Sequence, residues 1–146
     1  MKNQKSILLF VCILLGISGV FAQNGWITDD EMHFKINAPQ GYTQNQMRDG
    51  TDKVLTLMSS DQNVMIRVRA MPATDQFTPE ILQKVFEQNM IQGAQRVLNE
   101  RGNLNNIPAQ TAAYTWAVDG SDAVLGIYYI VQQGFAYVVW SAVPRS

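Results

Sequence analysis

Residues 122–143 read DAVLGIYYIVQQGFAYVVWSAV, and this stretch decides the fold. It holds two apolar runs, Ala123–Val131 and Phe135–Val143, which only three residues separate. Gly134 closes that short connection and can take a positive φ, which predicts either a three-residue loop ending in a bulge or a two-residue Gln-Gly turn. Both runs are apolar on their two alternating faces. Strands of that kind lie in the middle of a sheet whose two faces are covered.

The amino terminus predicts export. Lys2 and Lys5 precede the apolar run Ile7–Val20, and a small residue, Ala22, stands before Gln23. The run is shorter than the roughly 20 residues that a spanning helix needs, and its flanks fit a cleaved signal peptide. We expect residues 1–22 to be a signal peptide and residues 23–146 a single α+β domain. The product is then secreted or periplasmic, with no membrane span after cleavage.

Composition narrows the class of the mature domain. Cleavage shortens the 146 residues to 124, a usual length for one domain, and removes Cys12, the only cysteine. The domain therefore relies on its hydrophobic core and not on disulfides. Loss of Lys2 and Lys5 leaves nine basic and twelve acidic side chains. This balance gives no general attraction to nucleic acid or to an anionic membrane, so we expect no nucleic-acid partner.

The first half of the domain predicts three strands. Met32–Asn37 alternates strictly, which places Met32, Phe34 and Ile36 inward. Thr43–Asp52 is polar throughout and indicates a loop. Lys53–Ser59 and Val64–Met71 are two further strands joined by a polar turn, so they form a second hairpin.

One helix follows. Thr78 is a typical N-cap, Pro79 suits the first helical position because it lacks an N–H, and Glu80 favours the positive end of the helix dipole. An apolar stripe at helical spacing covers Ile81–Met90, and Gly93 is a typical C-terminal stop.

The last strands complete an α+β pattern. Gln95–Glu100 and Ala109–Val118 are predicted strands, and the second carries one face of large aromatic residues and one of small residues. The small face consists of Thr111, Ala113, Thr115 and Ala117. Because a small-residue face lets a helix approach closely, we expect the helix to pack there. The predicted fold is a mainly antiparallel sheet of about six strands with one main helix on one face.

These elements resemble the PsbP/Mog1-like superfamily, which includes the DcrB-type bacterial domains. The resemblance rests on a strand that runs into Pro-x-Gly-aromatic over Phe34–Tyr42, on the helix start Thr78-Pro79-Glu80, and on Asn106-Ile107-Pro108-Ala109 before a strand. It implies a non-enzymatic accessory or chaperone-like module that binds other proteins, and it brings no catalytic residues. Such domains usually end with a helix on the sheet, whereas this sequence stops at Ser146, so we expect that helix to be missing. Either the chain is truncated, or that face is left open for a partner.

The mature domain has few of the residue types that catalytic sites commonly use. His33 is the only histidine and the mature domain has no cysteine, so Cys–His and Ser–His–Asp arrangements are not expected. Asp119 and Asp122 bracket a turn, where aspartate is favoured for its local hydrogen bonds. We expect no catalytic residues and no cofactor.

Two small groups of polar residues remain as candidates. Asp29, Glu31 and His33 are two residues apart, so an extended segment puts them on one side, where they could hold a divalent ion. A solvated acidic segment explains them better, and we expect no metal. Arg67 and Arg69 lie on the exposed side of their strand. They could form an anion or partner contact, but a solvated face, or pairing with carboxylates of a neighbouring strand, explains them better.

Two functional hypotheses follow. The first is an exported non-catalytic accessory or protein-binding module that uses apolar surface on the sheet side without a helix, and that could also form a homodimer. The second is a small-ligand carrier, for a metal or a lipid, or else a hydrolase. Its pocket is expected between the sheet and the Thr43–Asp52 loop, lined by Trp26, Tyr42 and Trp116.

Overall fold

The computed structural model describes residues 7–9, 25–118 and 120–145. Most of the predicted signal peptide therefore lies outside the described residues. The elements follow in chain order: β1 (Ile7–Leu9), β2 (Trp26–Asp29), β3 (Phe34–Asn37), β4 (Thr43–Asp49), β5 (Asp52–Met58), β6 (Met65–Pro72), α1 (Pro79–Asn89), β7 (Gln95–Leu104), β8 (Ile107–Val118), β9 (Ser121–Gln132) and β10 (Phe135–Pro144).

The large sheet has seven antiparallel strands in the order β4-β5-β6-β10-β9-β8-β7. The hairpin of β9 and β10 lies at its centre, with β8 and β6 as outer neighbours, as its apolar residues on both faces predict. The hairpin turns at Gln133 and Gly134, whose φ angles are 52° and 82°. Two positive φ angles match the right-handed twist of the strands, so the two-residue turn is the alternative that forms.

Each face of the large sheet carries its own covering layer. A small sheet in the order β1-β3-β2 lies on what we call the strand-covered face. Strand β1 falls within the predicted signal peptide, so β2 and β3 are the part of this layer that belongs to residues 23–146. Helix α1 lies on the opposite, helix-covered face. Two buried clusters fill the gaps, one centred on Phe34, Ile36 and Tyr137 and the other on Phe86 and Tyr129. The class is therefore α+β, with a mainly antiparallel sheet as predicted.

The helix packs on the opposite face from the one predicted. Tyr114, on the large-residue face of β8, is 1% exposed beneath α1, whereas Ala113 on the small-residue face is partly exposed. The aromatic face prevails because burying large side chains removes far more apolar area from water than burying alanine and threonine. Leu82 and Phe86 supply the helix contacts, while Ile81 and Val85 remain exposed.

Hydrogen bonds fix the helix on this face. The Tyr114 hydroxyl donates to a Glu87 oxygen at 2.7 Å and lies 2.9 Å from the Tyr129 hydroxyl. Gln83 Nε2 donates to the same Tyr114 oxygen at 3.1 Å and lies 3.0 Å from Asn99 Oδ1. Burial raises the pKa of Tyr114 to about 12, so this hydroxyl keeps its proton and its donor role. The network joins α1 to three strands.

Two boundary predictions need correction. Thr43–Asp52 was expected to be a loop, but Thr43–Asp49 forms edge strand β4, making seven strands in the large sheet instead of about six. All residues of β4 are exposed. A strand that is exposed to solvent on both faces has no alternation of apolar and polar residues, so its sequence does not predict a strand. The strand predicted from Met32 begins at Phe34, because His33 takes a φ of 54°. Met32, Phe34 and Ile36 are nonetheless all buried, as predicted.

The start of the helix agrees with the sequence signals, whereas its end does not. Thr78 Oγ1 accepts from the Ile81 N–H at 3.2 Å, which satisfies one of the unpaired donors of the first turn. Pro79 occupies the first helical position. Gly93 was expected to be the C-terminal stop, but the helix ends at Asn89 with Met90 as its C-cap, and Gly93, with a φ of 82°, lies in the turn that follows. Of the described residues, no helix is both long and apolar enough to cross a membrane.

Candidate functional site

The two covering layers are offset, so each leaves part of its face open. Helix α1 contacts β8, β9 and β10. The core beneath the small sheet is formed mainly by β5, β6 and β10, and it reaches β7, β8 and β9 only at Leu104, Ala109 and Ile130. The first open area, which we call the open flank, lies on the strand-covered face over β7 and β8 and consists of Val97, Leu98, Thr111, Ala113 and Thr115. The second, the arginine platform, lies on the helix-covered face over β5, β6 and β10. It consists of the partly exposed residues Thr56, Met58, Met65, Arg67 and Arg69, with the buried Trp140 beside Arg67.

A bulge in β7 creates the open flank. Two side chains of β7 contact α1: Arg96 lies 3.1 Å from Glu87, and Asn99 lies 3.0 Å from Gln83. Strict alternation allows only an odd number of residues between two side chains on one face, but two residues lie between these, and the register shifts there. Leu98 therefore pairs with Ala113 on the strand-covered face. Val97 is 62% and Leu98 is 43% exposed.

β7 is also an edge of the large sheet. An edge strand presents backbone N–H and C=O groups that have no partner strand on one side, and such a row can pair with an extended segment of another chain. Arg96, Glu100 and Arg101 lie along the same strand, and charged side chains on an edge oppose indiscriminate pairing. The open flank thus combines exposed apolar side chains with a sheet edge that is free among the described strands.

The arginine platform is built by register across three strands. Arg67 lies between Thr56 of β5 and Trp140 of β10. Its Nε donates to Thr56 Oγ1 at 3.0 Å, and its guanidinium carbon lies 5.5 Å from the centre of the Trp140 ring. The stack on an indole and the hydrogen bond together fix the orientation of the guanidinium.

Arg69 is held differently. Its guanidinium lies 2.7 Å from Asp49 and 2.7 Å from Asp52, both at the β4–β5 turn. Burial opposes its charge, but the hydrogen bonds to these carboxylates outweigh that effect and raise the pKa of Arg69. For Arg67, burial and then the nearby Arg69 charge lower the pKa. Sequence analysis named these two arginines together, yet only Arg69 takes the carboxylate pairing that it offered as an alternative to a partner contact.

The structure does not bring Asp29, Glu31 and His33 together on one extended side, because a turn separates β2 from β3. Asp29 accepts from the Met32 N–H at 2.9 Å, which is the local bond that forms this turn. Lys53 Nζ lies 2.9 Å from Asp29 and 2.7 Å from Glu31. His33 instead packs against Phe135, with 5.1 Å between ring centres.

The carboxylates of Asp29 and Glu31 are therefore paired with positively charged side chains of this chain. Arg48 adds a 2.6 Å contact to Glu31, and the hydrogen bonds from Arg48 and then Lys53 lower the pKa of Glu31 to about 2. Within the described ranges, no three His, Cys, Asp or Glu side chains converge as a metal site requires.

Pockets near the predicted ligand site are small. One of about 230 Å³ lies beside β4 and is lined by Asp29, Phe34, Gln46, Met47, Arg48, Lys53, Val54 and Leu55. None of the three expected aromatic residues lines it. Lys35 Nζ lies 4.6 Å from the centre of the Trp26 ring. Tyr42 packs against the core of the strand-covered face. Trp116 lines a separate pocket of about 240 Å³ at the end of β8 and donates to the Gln92 carbonyl at 3.1 Å.

Sequence reasoning missed the two features that define the open areas. The stack of Arg67 on Trp140 depends on the register between β6 and β10, which are distant in the chain. The bulge at Val97 could be found only from two apolar residues in succession within a polar strand, Val97-Leu98. That signal is present, but on its own it does not distinguish a bulge from a buried run.

No protein-family model matches the chain, and no curated protein does. Among solved structures, one from Bacteroides thetaiotaomicron is similar at 11% identity with a TM-score of 0.52, over 77% of this chain and 38% of the other. The protein PA94 of unknown function from Pseudomonas aeruginosa is similar at 14% identity with a TM-score of 0.50, over 81% of both chains. At these identities the likeness shows the fold alone. This chain spans well under half of the Bacteroides protein.

A third similar structure is LpqN of Mycobacterium tuberculosis, a protein involved in cell envelope biogenesis, at 14% identity over 89% of this chain and 74% of the other. Its TM-score is 0.36, and we draw nothing from it.

Proposed function

We propose that this chain is an exported, non-catalytic accessory module of the PsbP/Mog1-like type that binds another protein through the open flank. The observation that carries the proposal is the exposure of Val97 and Leu98, 62% and 43%, beside the edge of β7 that pairs with no other described strand. Two adjacent apolar side chains on a free edge match the way in which sheets accept an extended peptide as an additional strand.

The chemistry of the flank supports this mode of binding. Backbone groups of β7 supply hydrogen bonds that do not depend on partner sequence, while Leu98 and the small residues Thr111 and Ala113 form a shallow apolar surface for its side chains. The sequence hypothesis placed the contact on the sheet side without a helix, and the open flank lies on that side. The small sheet covers the remainder of the face, so the binding surface is narrower than the sequence hypothesis assumed.

Export rests on the sequence alone, namely the predicted signal peptide of residues 1–22. The alternative function, a small-ligand carrier or a hydrolase, draws on the two pockets of about 230 and 240 Å³. Ligand sites in proteins commonly enclose ~300–1,000 Å³ and are lined mainly by apolar groups. The pocket beside β4 is smaller, and three of its eight lining residues, Asp29, Arg48 and Lys53, are charged, so we place this function second.

Site-specific crosslinking tests the proposal. Since residues 23–146 contain no cysteine, Leu98→Cys introduces one attachment point for a photocrosslinker on the open flank. Val85→Cys is the matched control, because Val85 is similarly exposed at 42% but lies on α1. Expressed in a bacterium that exports it, the Leu98 variant is expected to crosslink one reproducible protein of the envelope or culture fraction, and the Val85 variant is not.

A second variant separates a partner from a second copy of this chain. Val97→Asp places a charge on the flank and is expected to abolish the crosslink without lowering the melting temperature, since Val97 is largely in solvent. Size-exclusion mass of the purified domain shows whether the crosslinked species is a homodimer. Equal crosslinking from both positions, or none from Leu98→Cys, contradicts the proposal.

A further inference from the structure

Strand β3 has a neighbour on each side in the small sheet. β2 pairs with it antiparallel and β1 pairs with it in parallel. The parallel register sets Ile7 opposite Phe34, Leu8 opposite Lys35 and Leu9 opposite Ile36. β1 lies within residues 1–22, the predicted signal peptide. Cleavage before Gln23 therefore removes the strand on one side of β3, and among the remaining described strands none takes its place.

Contacts that do not involve β1 hold β3 in position. The Phe34 ring meets the Tyr137 ring at 6.4 Å between centres, and the Tyr137 hydroxyl donates to the Met32 carbonyl at 2.8 Å, just before the strand. Just after it, the Ala38 N–H donates to the Gly25 carbonyl at 2.7 Å. The edge that β1 leaves is thus a preformed one, and little ordering is needed before a new strand adds to it.

The chemistry of this edge favours strand addition. An edge strand presents N–H and C=O groups to an incoming chain, and proteins often protect such edges with proline or with charged side chains. β3 contains no proline, and its only charged residue is Lys35. Lys35 Nζ lies 4.6 Å from the centre of the Trp26 ring on β2, so its charge is held on the side of β3 away from the position of β1.

We infer that the processed protein binds an extended aliphatic segment of another protein at this edge of β3, as a parallel strand in the place of β1. Residues paired across a sheet share a face. The occupant's residues opposite Phe34 and Ile36 therefore join the face that packs on the core, where these two side chains are 5% and 0% exposed. The residue between them shares the face of Lys35, which is partly exposed. Aliphatic side chains are required at the two inner positions, whereas a polar one is tolerated between them.

This inference rests on the export part of the proposed function, because cleavage of the signal peptide is what opens the edge. It does not rest on the open flank. β3 belongs to the small sheet and β7 to the large one, so each edge can be tested while the other is unchanged.

The test is an NMR titration of the protein recovered after export with acetyl-Lys-Ser-Ile-Leu-Leu-Phe-amide, which has the sequence of residues 5–10. The backbone amide signals of β3 are followed, and their hydrogen exchange is expected to slow when the peptide binds. Two peptide analogues are compared. Leu8→Glu, opposite Lys35, is expected to bind about as tightly as the parent peptide. Leu9→Glu, opposite Ile36, is expected to bind at least about tenfold more weakly, because it brings a charge into the core.

N-methylated peptides separate strand addition from binding through side chains alone. Successive N–H groups of a strand point to opposite sides, so only alternate ones face β3. One peptide is methylated at the Leu8 nitrogen and the other at the nitrogens of Ile7 and Leu9. We expect one of them to bind as the parent does and the other about tenfold more weakly, since it leaves an acceptor of β3 unpaired.

The full chain supplies a second measurement, which does not require the processed protein to fold. In the unprocessed chain β1 occupies the edge, so the parent peptide is not expected to bind. Leu9→Glu in that chain is expected to speed hydrogen exchange of the β3 amides at least about tenfold and to allow the peptide to bind, whereas Leu8→Glu is expected to do neither.

Several outcomes contradict the inference. These are equal binding of the two glutamate analogues, an equal loss with both methylation patterns, and binding of the parent peptide to the full chain as tightly as to the processed protein. A processed protein that is a dimer by size-exclusion mass, with its β3 amides already protected, would make a second copy the occupant. If N-terminal sequencing shows that residues 1–22 are retained, the export proposal fails, while the full-chain variants still test the edge.

Discussion

At the scale of single residues, the ion pairs of Lys53 show how a charged cluster joins the small sheet to the large one. Lys53 of β5 binds Asp29 and Glu31, which precede β3, and Arg48 of β4 binds Glu31 as well. These contacts hold the pKa of Glu31 at about 2, well below its ordinary value of 4.5. The folded state therefore favours the ionised carboxylate over the protonated one.

This depressed pKa predicts an acid-dependent loss of stability. A group whose pKa is lower in the folded than in the unfolded state stabilises fully above its unfolded value and loses that contribution as the pH falls through the folded one. We expect the urea midpoint of the wild type to fall between pH 4.5 and pH 2 more steeply than that of Glu31→Gln, which has no carboxylate to titrate. Urea titrations at several pH values measure the difference.

Glu100→Gln serves as the control, because Glu100 is exposed and forms no ion pair within the described residues. It should keep the wild-type slope. Parallel curves for the wild type and Glu31→Gln would show that the cluster does not stabilise the fold.

Residue-scale prediction from the sequence succeeded where the signal was local. The inward positions Met32, Phe34 and Ile36 follow from alternation, and the cap at Thr78 follows from its neighbours Pro79 and Glu80. The platform could not be predicted, because it requires Arg67 and Trp140 to be placed opposite each other across a strand pair that no local pattern specifies.

At the scale of elements, the side on which α1 packs is the main correction. The sequence showed that β8 has a large-residue face and a small-residue face, but it did not show which one the helix covers. The helix packs on the large-residue face because this buries more aromatic area and allows the hydrogen bonds of Tyr114. Similarly, β4 was hidden because an exposed edge strand has the same polar composition as a loop.

The corrected placement makes a pair of adjacent alanines diagnostic. Ala112 faces α1 and is 1% exposed, whereas Ala113 lies on the open flank. Ala112→Leu is expected to destabilise by about 1–3 kcal/mol because it overfills a packed interface. Ala113→Leu is expected to change the free energy of unfolding by less than about 0.5 kcal/mol, as surface substitutions usually do. Urea denaturation of the two variants compares these values directly. A larger loss of stability for Ala113→Leu than for Ala112→Leu would contradict the packing of α1 on the large-residue face.

At the scale of the whole molecule, two cores lie on opposite sides of one sheet. Phe34 anchors the core of the strand-covered face and contacts Tyr137, whose hydroxyl donates to the Met32 carbonyl at 2.8 Å. Phe86 anchors the other core through Tyr129 and Trp140. The amino-terminal strands therefore cover a face that sequence analysis left for a partner to shield.

Since the two anchors share no ring contact, their effects should add. Phe34→Ala and Phe86→Ala are each expected to cost about 3–5 kcal/mol, the usual loss for a large buried aromatic residue. The double variant should lose the sum within about 0.5 kcal/mol, because the sites are independent. If the double variant is too unstable to measure, Phe34→Leu and Phe86→Leu repeat the cycle more gently. A coupling clearly larger than this would mean that the two cores act as one.

The strand order also has a kinetic consequence. β4–β6 and β7–β10 are each joined by short turns, and within the described chain β6 with β10 is the pairing in the large sheet that links distant segments. Closing the loop between them costs chain entropy before any contact there is gained, so we expect this closure to limit the rate of refolding. Stopped-flow refolding should then be slower for Val139→Ala, which faces Val68 across that junction, and little changed for Val97→Ala on the outer hairpin.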